Sequence, residues 1–188
     1  MPRLYKMLQV MIYLFLAPGF EEIEALATTD IIRRADIQLT TVSILDTPVV
    51  PGAHKIPVTA DTIINNVNLD DAEMLILPGG MPGATNLAAT EKLTNALRTT
   101  KGRIAAICAS PAVVLAPLGL LDGKEAICYP GFEKALGNAR VSDNVVVTDG
   151  NITTAAGPGF SMEFALEIVR LIKGDDTADQ VAAGLLLI

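Results

Sequence analysis

The chain has 188 residues, of which 51% are hydrophobic and 19% are charged. This composition suits a full hydrophobic core, and we expect a single domain over residues 1–188. The formal charge of −7 at pH 7 leaves no basic surface for nucleic acid or an anionic membrane, so small molecules or other proteins are the expected partners.

Cysteine and histidine are scarce. The two cysteines, Cys108 and Cys128, have no CxxC spacing and form no disulfide framework, which favours a reducing compartment such as the cytoplasm. His54 is the single histidine, which argues against a conventional zinc site. We therefore expect neither a metal nor another cofactor.

The N-terminal segment looks like a short secretory signal, because Arg3 and Lys6 precede an apolar run over residues 7–17. The run is too short to span a membrane, and it has no small residues at the spacing of a cleavage site. The following stretch, Pro18–Glu22, continues directly into a helical pattern. We interpret the run as a buried first strand.

Short apolar runs, bounded by glycine, proline, asparagine or aspartate, alternate with helical patterns. The predicted strands are Gln9–Ala17, Gln38–Leu45, Met74–Leu77, Arg103–Ile107, Ala126–Cys128, Val145–Thr148 and Ile152–Ala156. The predicted helices are Glu21–Ala35, Glu91–Thr99, Ala112–Pro117, Phe160–Lys173 and Thr177–Ala183. This alternation predicts an α/β sandwich with a largely parallel sheet and helices on both faces.

In such sheets the ligand site lies beyond the carboxyl ends of the strands. Three predicted loops fall there: Pro18–Glu24, Pro78–Gly83 and Cys108–Pro111. We therefore expect the three loops to contribute to one site.

The first of these loops opens a helix with three glutamates, Glu21, Glu22 and Glu24. Acidic residues are favoured in a first turn, so most of them are expected to be solvated. Glu24 shares a helix face with Phe20 and Thr28 and is the best candidate to point inward. In a dry pocket its pKa would rise, and it could hydrogen-bond a thiolate or carry protons, whereas an ionised Glu24 would oppose thiolate formation.

The second loop carries Gly79 and Gly80 directly after an apolar strand. Paired glycines allow a backbone N–H to turn toward a ligand, which would provide half of an oxyanion hole. An ordinary glycine turn explains the same residues. The loop is not a phosphate loop, because neither GxxxxGK[ST] nor GxGxxG is present.

The third loop has the pattern of a nucleophile elbow that carries a thiol. A strand runs into Cys108, the small residues Ala109 and Ser110 permit a sharp turn, and Pro111 suits the first turn of a helix. A thiol above a helix N-terminus is expected to have a lowered pKa. The alternative is an inert, buried cysteine at the end of a strand.

Four motifs together resemble the ThiJ/PfpI superfamily, in the branch of the human Parkinson-disease protein deglycase and its bacterial relatives. They are APGFEEIEA (Ala17–Ala25), LPGGMPGATNL (Leu77–Leu87), AAICASP (Ala105–Pro111) and AAGPGFSMEFAL (Ala155–Leu166). The resemblance covers nearly the whole chain in the same order.

The resemblance implies a flavodoxin-like three-layer sandwich and a homodimer. It places the reactive cysteine at Cys108 and the protonated glutamate at Glu24, with the amides of Gly80 and Ala109 near the oxyanion and Gly79 as an accessory residue. Members of the superfamily are described as glutathione-independent glyoxalases, as deglycases and as oxidation-sensing chaperones.

Two departures from the superfamily pattern weaken a Cys-His catalytic interpretation. Tyr129 stands where many members have a histidine, and tyrosine is a poor general base near neutral pH. His54 lies in a loop that members place near the partner's site, so it could substitute across a dimer interface or be a solvated loop residue. Cys128 is expected to be a packing residue, with a resolving thiol as the alternative.

Three functional hypotheses follow. In the first, Cys108 attacks an α-oxoaldehyde such as methylglyoxal or glyoxal, or a glycated side chain, to form a hemithioacetal. In the second, Cys108 is a non-catalytic redox sensor that peroxide oxidises to a sulfinate. In the third, the elbow is inherited architecture in a protein-binding module. Glutamine amidotransfer is disfavoured, because no His-x-Glu partner follows the cysteine.

Overall fold

The structure, a computed structural model, describes residues 11–188. Gln9 and Val10 of the predicted first strand, and the basic residues Arg3 and Lys6, lie outside the described residues. Within the described part, no helix is both long enough and apolar enough to cross a membrane.

Strands and helices alternate along the described chain. The strands are β1 (Ile12–Leu16), β2 (Leu39–Ser43), β3 (Val49–Pro51), β4 (Pro57–Thr59), β5 (Thr62–Ile63), β6 (Met74–Leu77), β7 (Arg103–Ile107), β8 (Glu125–Ala126), β9 (Arg140–Val141), β10 (Val146–Asp149) and β11 (Ile152–Ala155). The α-helices are α1 (Glu22–Arg34), α2 (Gly83–Ala88), α3 (Glu91–Thr99), α4 (Ser161–Lys173) and α5 (Asp175–Gly184).

Seven of these strands form one sheet in the order β10-β11-β7-β6-β1-β2-β5. All neighbouring pairs are parallel except β10 with β11. The chain moves from β1 to β2 in one direction and from β6 to β7 in the other, so the order reverses between β1 and β6. Ligand sites of open α/β sheets lie at such a reversal, beyond the carboxyl ends of the strands.

The central strands are buried on both faces. Every residue of β1 and β6 is buried, as expected for apolar strands that are covered by helices on each side. Helix α4 packs against both α1 and α5, and α2 contacts α3 and the segment that follows β7. The sequence prediction of an α/β sandwich with a largely parallel sheet is confirmed, and the architecture is consistent with a flavodoxin-like fold.

Most predicted elements occur within a few residues of their expected bounds, and Met74–Leu77, Glu91–Thr99 and Arg103–Ile107 match throughout. The helix predicted over Ala112–Pro117 is present but is not an α-helix: residues 111–115 form a π-helical turn and residues 116–118 a 3₁₀ turn. Pro117 has no N–H to donate to a regular helix, which favours a change of helix type there.

The strand predicted at Ala126–Cys128 is also shifted, to Glu125–Ala126, and pairs with β9 outside the main sheet. The sequence patterns did not predict the β3–β4 hairpin, β5, β9 or α2. These elements have two to six residues each, too few for a periodic pattern to be recognised.

Candidate active site

The three predicted loops meet at the end of β1, β6 and β7, and Gly79 lies at the centre of the contact. A Cβ atom at Gly79 would lie 2.7 Å from Cys108 Cβ, 2.9 Å from Glu24 Oε2 and 3.0 Å from the Ala109 nitrogen. Real Cβ atoms essentially never approach other atoms so closely, so only glycine fits here. The close approach brings the thiol and the carboxyl group to one place.

Cys108 occupies a sharp turn of the kind that exposes a nucleophile. Its φ is 64°, in the left-handed region that non-glycine residues rarely adopt and that is often associated with functional sites. The turn is held by backbone hydrogen bonds from Cys108 N–H to the Ala155 carbonyl (2.9 Å) and from Tyr129 N–H to the Cys108 carbonyl (2.8 Å). The residue as a whole remains 8% exposed.

Ser110 ties this turn to the glycine loop. Its buried hydroxyl donates a hydrogen bond of 2.6 Å to the carbonyl oxygen of Pro78. The sequence analysis treated Ser110 only as a small turn residue, because a local motif does not reveal a partner 32 positions away. The bond joins the ends of β6 and β7 directly beside the thiol.

Glu24 points inward, as its helix face predicted. It is fully buried, and its Oε2 accepts a hydrogen bond of 2.6 Å from the amide of Gly79. Burial is the main cause that raises the Glu24 pKa to about 7, with ionised Glu21 adding to the rise while the Gly79 amide and the Cys108 thiol oppose it. Near neutral pH this carboxyl group can therefore hold or release a proton.

The thiol does not have the lowered pKa that the sequence analysis expected. Burial raises the pKa of Cys108 to about 12, and the adjacent Glu24 carboxylate adds to the rise. The amides of Gly80 and Ala109 hydrogen-bond the sulfur and lower the pKa, but these effects are smaller. The prediction of a lowered Cys108 pKa was wrong, because burial and the charge of Glu24 across the pocket outweigh the effect of the backbone amides.

The two groups titrate as a pair, because each charge opposes the other. Burial and a neighbouring negative charge raise both pKa values, that of Glu24 to about 7 and that of Cys108 to about 12, so the two groups are not both ionised at neutral pH. Between these values the site holds one negative charge and one proton. That proton can reside on the carboxyl group or on the sulfur.

Gly80 is required by both its conformation and its surroundings. Its φ is +84°, and a Cβ atom there would collide with the backbone of Gly19, Phe20 and Glu21. This conformation directs the Gly80 amide toward the Cys108 sulfur, on which the Ala109 amide also converges. Two backbone amides therefore donate toward the Cys108 sulfur.

The expectation that the other first-turn glutamates are solvated is wrong. Glu21 is buried and caps α1, since its Oε2 accepts a hydrogen bond of 2.7 Å from the Glu24 amide. Glu22 is buried too, and its Oε1 accepts the amides of His54 (2.7 Å) and Ile56 (3.4 Å). Glu22 thus holds α1 against the β3–β4 loop, a contact that the sequence motif does not reveal.

His54 has no contact with Cys108 in its own chain. Its side chain is 69% exposed, and its Nδ1 lies 2.8 Å from Glu22 Oε2. This carboxylate raises the pKa of His54. The histidine is an exposed loop residue with an ion-pair partner.

Tyr129 and Cys128 lie beside the elbow. The Tyr129 ring packs on Gly157, where a Cβ atom would lie 3.0 Å from its Cδ2, and the ring is half-exposed. Cys128 is buried, and burial raises its pKa to about 11, with a smaller contribution from Glu133. Both cysteines are free thiols.

A thiol on an elbow, two amides at its sulfur and a protonatable carboxyl group can attack a carbonyl carbon, hold the oxyanion and transfer a proton. This combination defines a class of α/β proteins that carry a cysteine on a sharp turn at the sheet reversal.

The profile of the DJ-1/PfpI family matches residues 10–171, and the chain belongs to this family. The chain is 37% identical over 177 residues to Drosophila melanogaster Protein dj-1beta, which covers 92% of this chain and 94% of the relative. It is 33% identical over 174 residues to the Caenorhabditis elegans Glutathione-independent glyoxalase DJR-1.2, with 89% and 90% covered.

Solved structures agree with this assignment. Oxidized Toxoplasma gondii DJ-1 superimposes with a TM-score of 0.90 at 36% identity and covers 94% of this chain and 98% of its own. Some relatives are longer: the chain spans 40% of Arabidopsis thaliana Protein DJ-1 homolog B, to which it is 35% identical over 175 residues.

Proposed function

We propose that the protein is a glutathione-independent glyoxalase that converts α-oxoaldehydes such as methylglyoxal and glyoxal into 2-hydroxy acids. The observation that carries this proposal is the position of the Cys108 sulfur between the Gly80 and Ala109 amides and the Glu24 carboxyl group. The name of the C. elegans relative supports the same reaction class.

The reaction begins when the proton shared by Cys108 and Glu24 resides on the carboxyl group, and the Cys108 thiolate attacks the aldehyde carbon of methylglyoxal. An S–C bond forms, the carbonyl electron pair moves to oxygen beside the two amides, and a proton completes the hemithioacetal. The proton on the former aldehyde carbon is removed to give an enediol, and reprotonation at the neighbouring carbon gives a 2-hydroxyacyl thioester. Water then releases lactate and the thiol, so methylglyoxal and water are the only reactants.

Glu24 supplies the proton transfers. A carboxyl group with a pKa of about 7 can give a proton to the oxyanion and then, as a carboxylate, remove one from carbon. Glutathione is unnecessary, because the protein's own thiol forms the hemithioacetal. A hemithioacetal, hemiaminal or aminocarbinol on a glycated cysteine, lysine or arginine offers the same carbon to the same sulfur, so protein deglycation is a proposed extension of this activity.

The first test is lactate formation from methylglyoxal without glutathione. We expect Cys108→Ser and Glu24→Gln to lose nearly all turnover, whereas Cys128→Ser, the matched control, retains it. Full activity in Cys108→Ser would overturn the mechanism. An inactive wild-type protein would remove the glyoxalase assignment.

A second test locates the shared proton. Glu24→Gln keeps a neutral group beside the sulfur, so the alkylation rate of Cys108 as a function of pH gives the thiol pKa without the opposing carboxylate. We expect a value below 12, because the charge and the hydrogen bond of Glu24 no longer raise the pKa, while burial still does. A thiol pKa near or below 7 in this variant would mean that the proton shared by the two groups resides on Glu24 and not on the sulfur. A thiol pKa that is unchanged from the wild type would contradict the proposed role of Glu24.

A redox sensor is the second candidate, favoured by the slight exposure of Cys108 and by the two amides at its sulfur. These amides would stabilise a sulfinate that peroxide forms on the thiolate, with the protonated Glu24 as a further donor. Peptide mass spectrometry after mild peroxide treatment should then show two added oxygens on Cys108 alone. Equal oxidation of Cys128 would argue against a specialised site.

We also propose that the chain forms a homodimer through the exposed side of α1. Ile23 and Leu26 on this helix and Ile56 in the adjoining β3–β4 loop are about half exposed, an apolar surface that a second copy would cover. Leu26→Glu should then give a monomer in analytical ultracentrifugation, and a wild-type monomer would contradict the proposal.

Two free thiols support a cytoplasmic location.

A further inference from the structure

The fold gathers a second set of donor atoms beside the candidate active site. Glu21, Glu22 and His54 each offer a ligand atom, and these atoms lie within 4.8 Å of one another. The two carboxylate side chains are only 9% and 5% exposed, whereas the imidazole is 69% exposed. Surface acidic clusters are solvated by water, but these carboxylates are largely removed from it.

Glu21 directs one oxygen toward the imidazole of His54. Its Oε2 accepts the hydrogen bond that caps α1, whereas its Oε1 forms an ion pair with His54 Nδ1 at 3.9 Å, longer than a hydrogen bond. The side chain of Glu21 is only 9% exposed, so this oxygen is held beside the imidazole with little solvent around it.

Glu22 is held so that its second oxygen faces the same point. The amides of His54 and Ile56 occupy its Oε1, and Gly52 packs directly against the carboxylate. Its Oε2 is left 2.8 Å from His54 Nδ1. The three donor atoms are therefore positioned by the backbone of α1 and of the β3–β4 loop before any ligand binds.

We propose that Glu21, Glu22 and His54 bind one divalent transition-metal ion, with Zn²⁺ as the representative ion. Imidazole nitrogen and carboxylate oxygen bind Zn²⁺ at roughly 2.0–2.2 Å, which needs ligand atoms about 3.3–3.6 Å apart. The observed separations of 2.8 and 3.9 Å bracket this range, so small side-chain rotations suffice. Water completes the coordination, and the metal–nitrogen bond replaces the hydrogen bond between His54 and Glu22.

The sequence argued against a conventional zinc site, because His54 is the single histidine and provides the single imidazole ligand. The tertiary structure supplies two oxygen ligands instead, from residues about 30 positions away on another element. Three protein ligands and an open position are a known arrangement for Zn²⁺. The proposed ligands are distinct from Cys108, and although Glu21 raises the pKa of Glu24, Zn²⁺ binding is measured in a variant without Cys108, so either proposal can fail alone.

The single histidine makes the test specific, since every imidazole signal in an untagged protein comes from His54. Zn²⁺ alone is titrated into Cys108→Ser/Cys128→Ser, in which no thiol can bind it, and followed by NMR of the imidazole nitrogens and by calorimetry. We expect saturation at one equivalent per chain with a shift of Nδ1. His54→Gln and Glu21→Gln should each weaken binding at least tenfold.

The control is Glu91→Gln, which removes an exposed first-turn carboxylate from α3 and should leave binding unchanged. Thermal unfolding of each variant without metal establishes that it folds, and Zn²⁺ should raise the melting temperature only where the three ligands are intact. Imidazole signals that do not move, binding that does not saturate, or equal binding in His54→Gln would overturn the proposal. Binding seen only when the thiols are present would overturn it as well.

Discussion

The two cysteines of this protein are a natural comparison, because both are free and buried. The pKa of each thiol is raised, that of Cys108 to about 12 and that of Cys128 to about 11. Burial is the largest cause in each case. By these measures alone, neither thiol would be called reactive.

The difference lies in what surrounds each sulfur. Cys108 has a left-handed backbone, two amides at the sulfur and a carboxyl group that can hold a proton at neutral pH. Among the described residues, the charge that acts on Cys128 is that of Glu133, and it raises the Cys128 pKa further. A reactive thiol is therefore distinguished by the donors that can stabilise its thiolate. Burial is the largest cause of the raised Cys108 pKa, and protonation of Glu24 removes the part that comes from the neighbouring charge.

The largest effect that this comparison predicts is in thiol reactivity. At neutral pH, iodoacetamide should modify Cys108 about a thousandfold faster than Cys128. Cys108 is 8% exposed whereas Cys128 is 1% exposed, and the Cys108 thiolate is stabilised by two amides and by Glu24 when that carboxyl group is protonated. Peptide mass spectrometry over a time course measures both rates in one sample. Comparable rates at the two positions would remove the distinction between them.

The close packing at Gly79 should matter nearly as much. Gly79→Ala places a methyl group against Cys108 and Glu24, and we expect at least a hundredfold loss of glyoxalase turnover and about 1–3 kcal/mol of lost stability. Gly159→Ala is the matched control, since nothing lies within 4 Å of a Cβ atom at that position. An active Gly79→Ala variant would show that the thiol and carboxyl group need not be in contact.

The pKa of Glu24 predicts a pH-dependent stability. Its folded value of about 7 exceeds the ordinary 4.5, so the folded state binds more protons between these values and stability falls as pH rises from 4.5 to 7. The expected loss is about 3 kcal/mol relative to Glu24→Gln. Urea unfolding of both proteins at several pH values measures it, and parallel curves would mean that Glu24 titrates normally.

Ser110 should give the smallest of these effects. Ser110→Ala removes its buried hydrogen bond to the Pro78 carbonyl and should cost about 1–2 kcal/mol of stability, with a several-fold decrease in turnover as the two loops loosen. Ser110→Thr keeps the hydroxyl but adds a methyl group to a fully buried position, so it separates the hydrogen bond from packing. Unchanged melting temperature and turnover in Ser110→Ala would show that this bond does not hold the site together.

Local patterns predicted the elements that carry the site. The apolar runs before Gly79 and Cys108 became β6 and β7 with the expected bounds, because a strand buried on both faces needs a continuous apolar run whatever its neighbours are. The inward orientation of Glu24 followed from helical periodicity. The π-helical turn after the elbow was not predicted, since its departure from an α-helix depends on packing.

Long-range contacts were beyond such patterns. Several features of the site depend on contacts between separate elements of the fold. These features are the burial of Glu21 and Glu22, the hydrogen bond from Ser110 to Pro78 and the neighbours of His54. A first-turn glutamate has the same local pattern whether it is solvated or buried, so its sequence context predicted the wrong environment.

The sequence by itself determined the order of strands and helices, the residue types at the three loops and the family, because these depend on local periodicity and on motifs read in order. The tertiary structure alone decided the charge states at the site. The pKa values of Cys108 and Glu24 depend on burial and on a neighbouring charge that belongs to a different element of the fold. The burial and the neighbouring charge arise only when the sheet brings β1, β6 and β7 together.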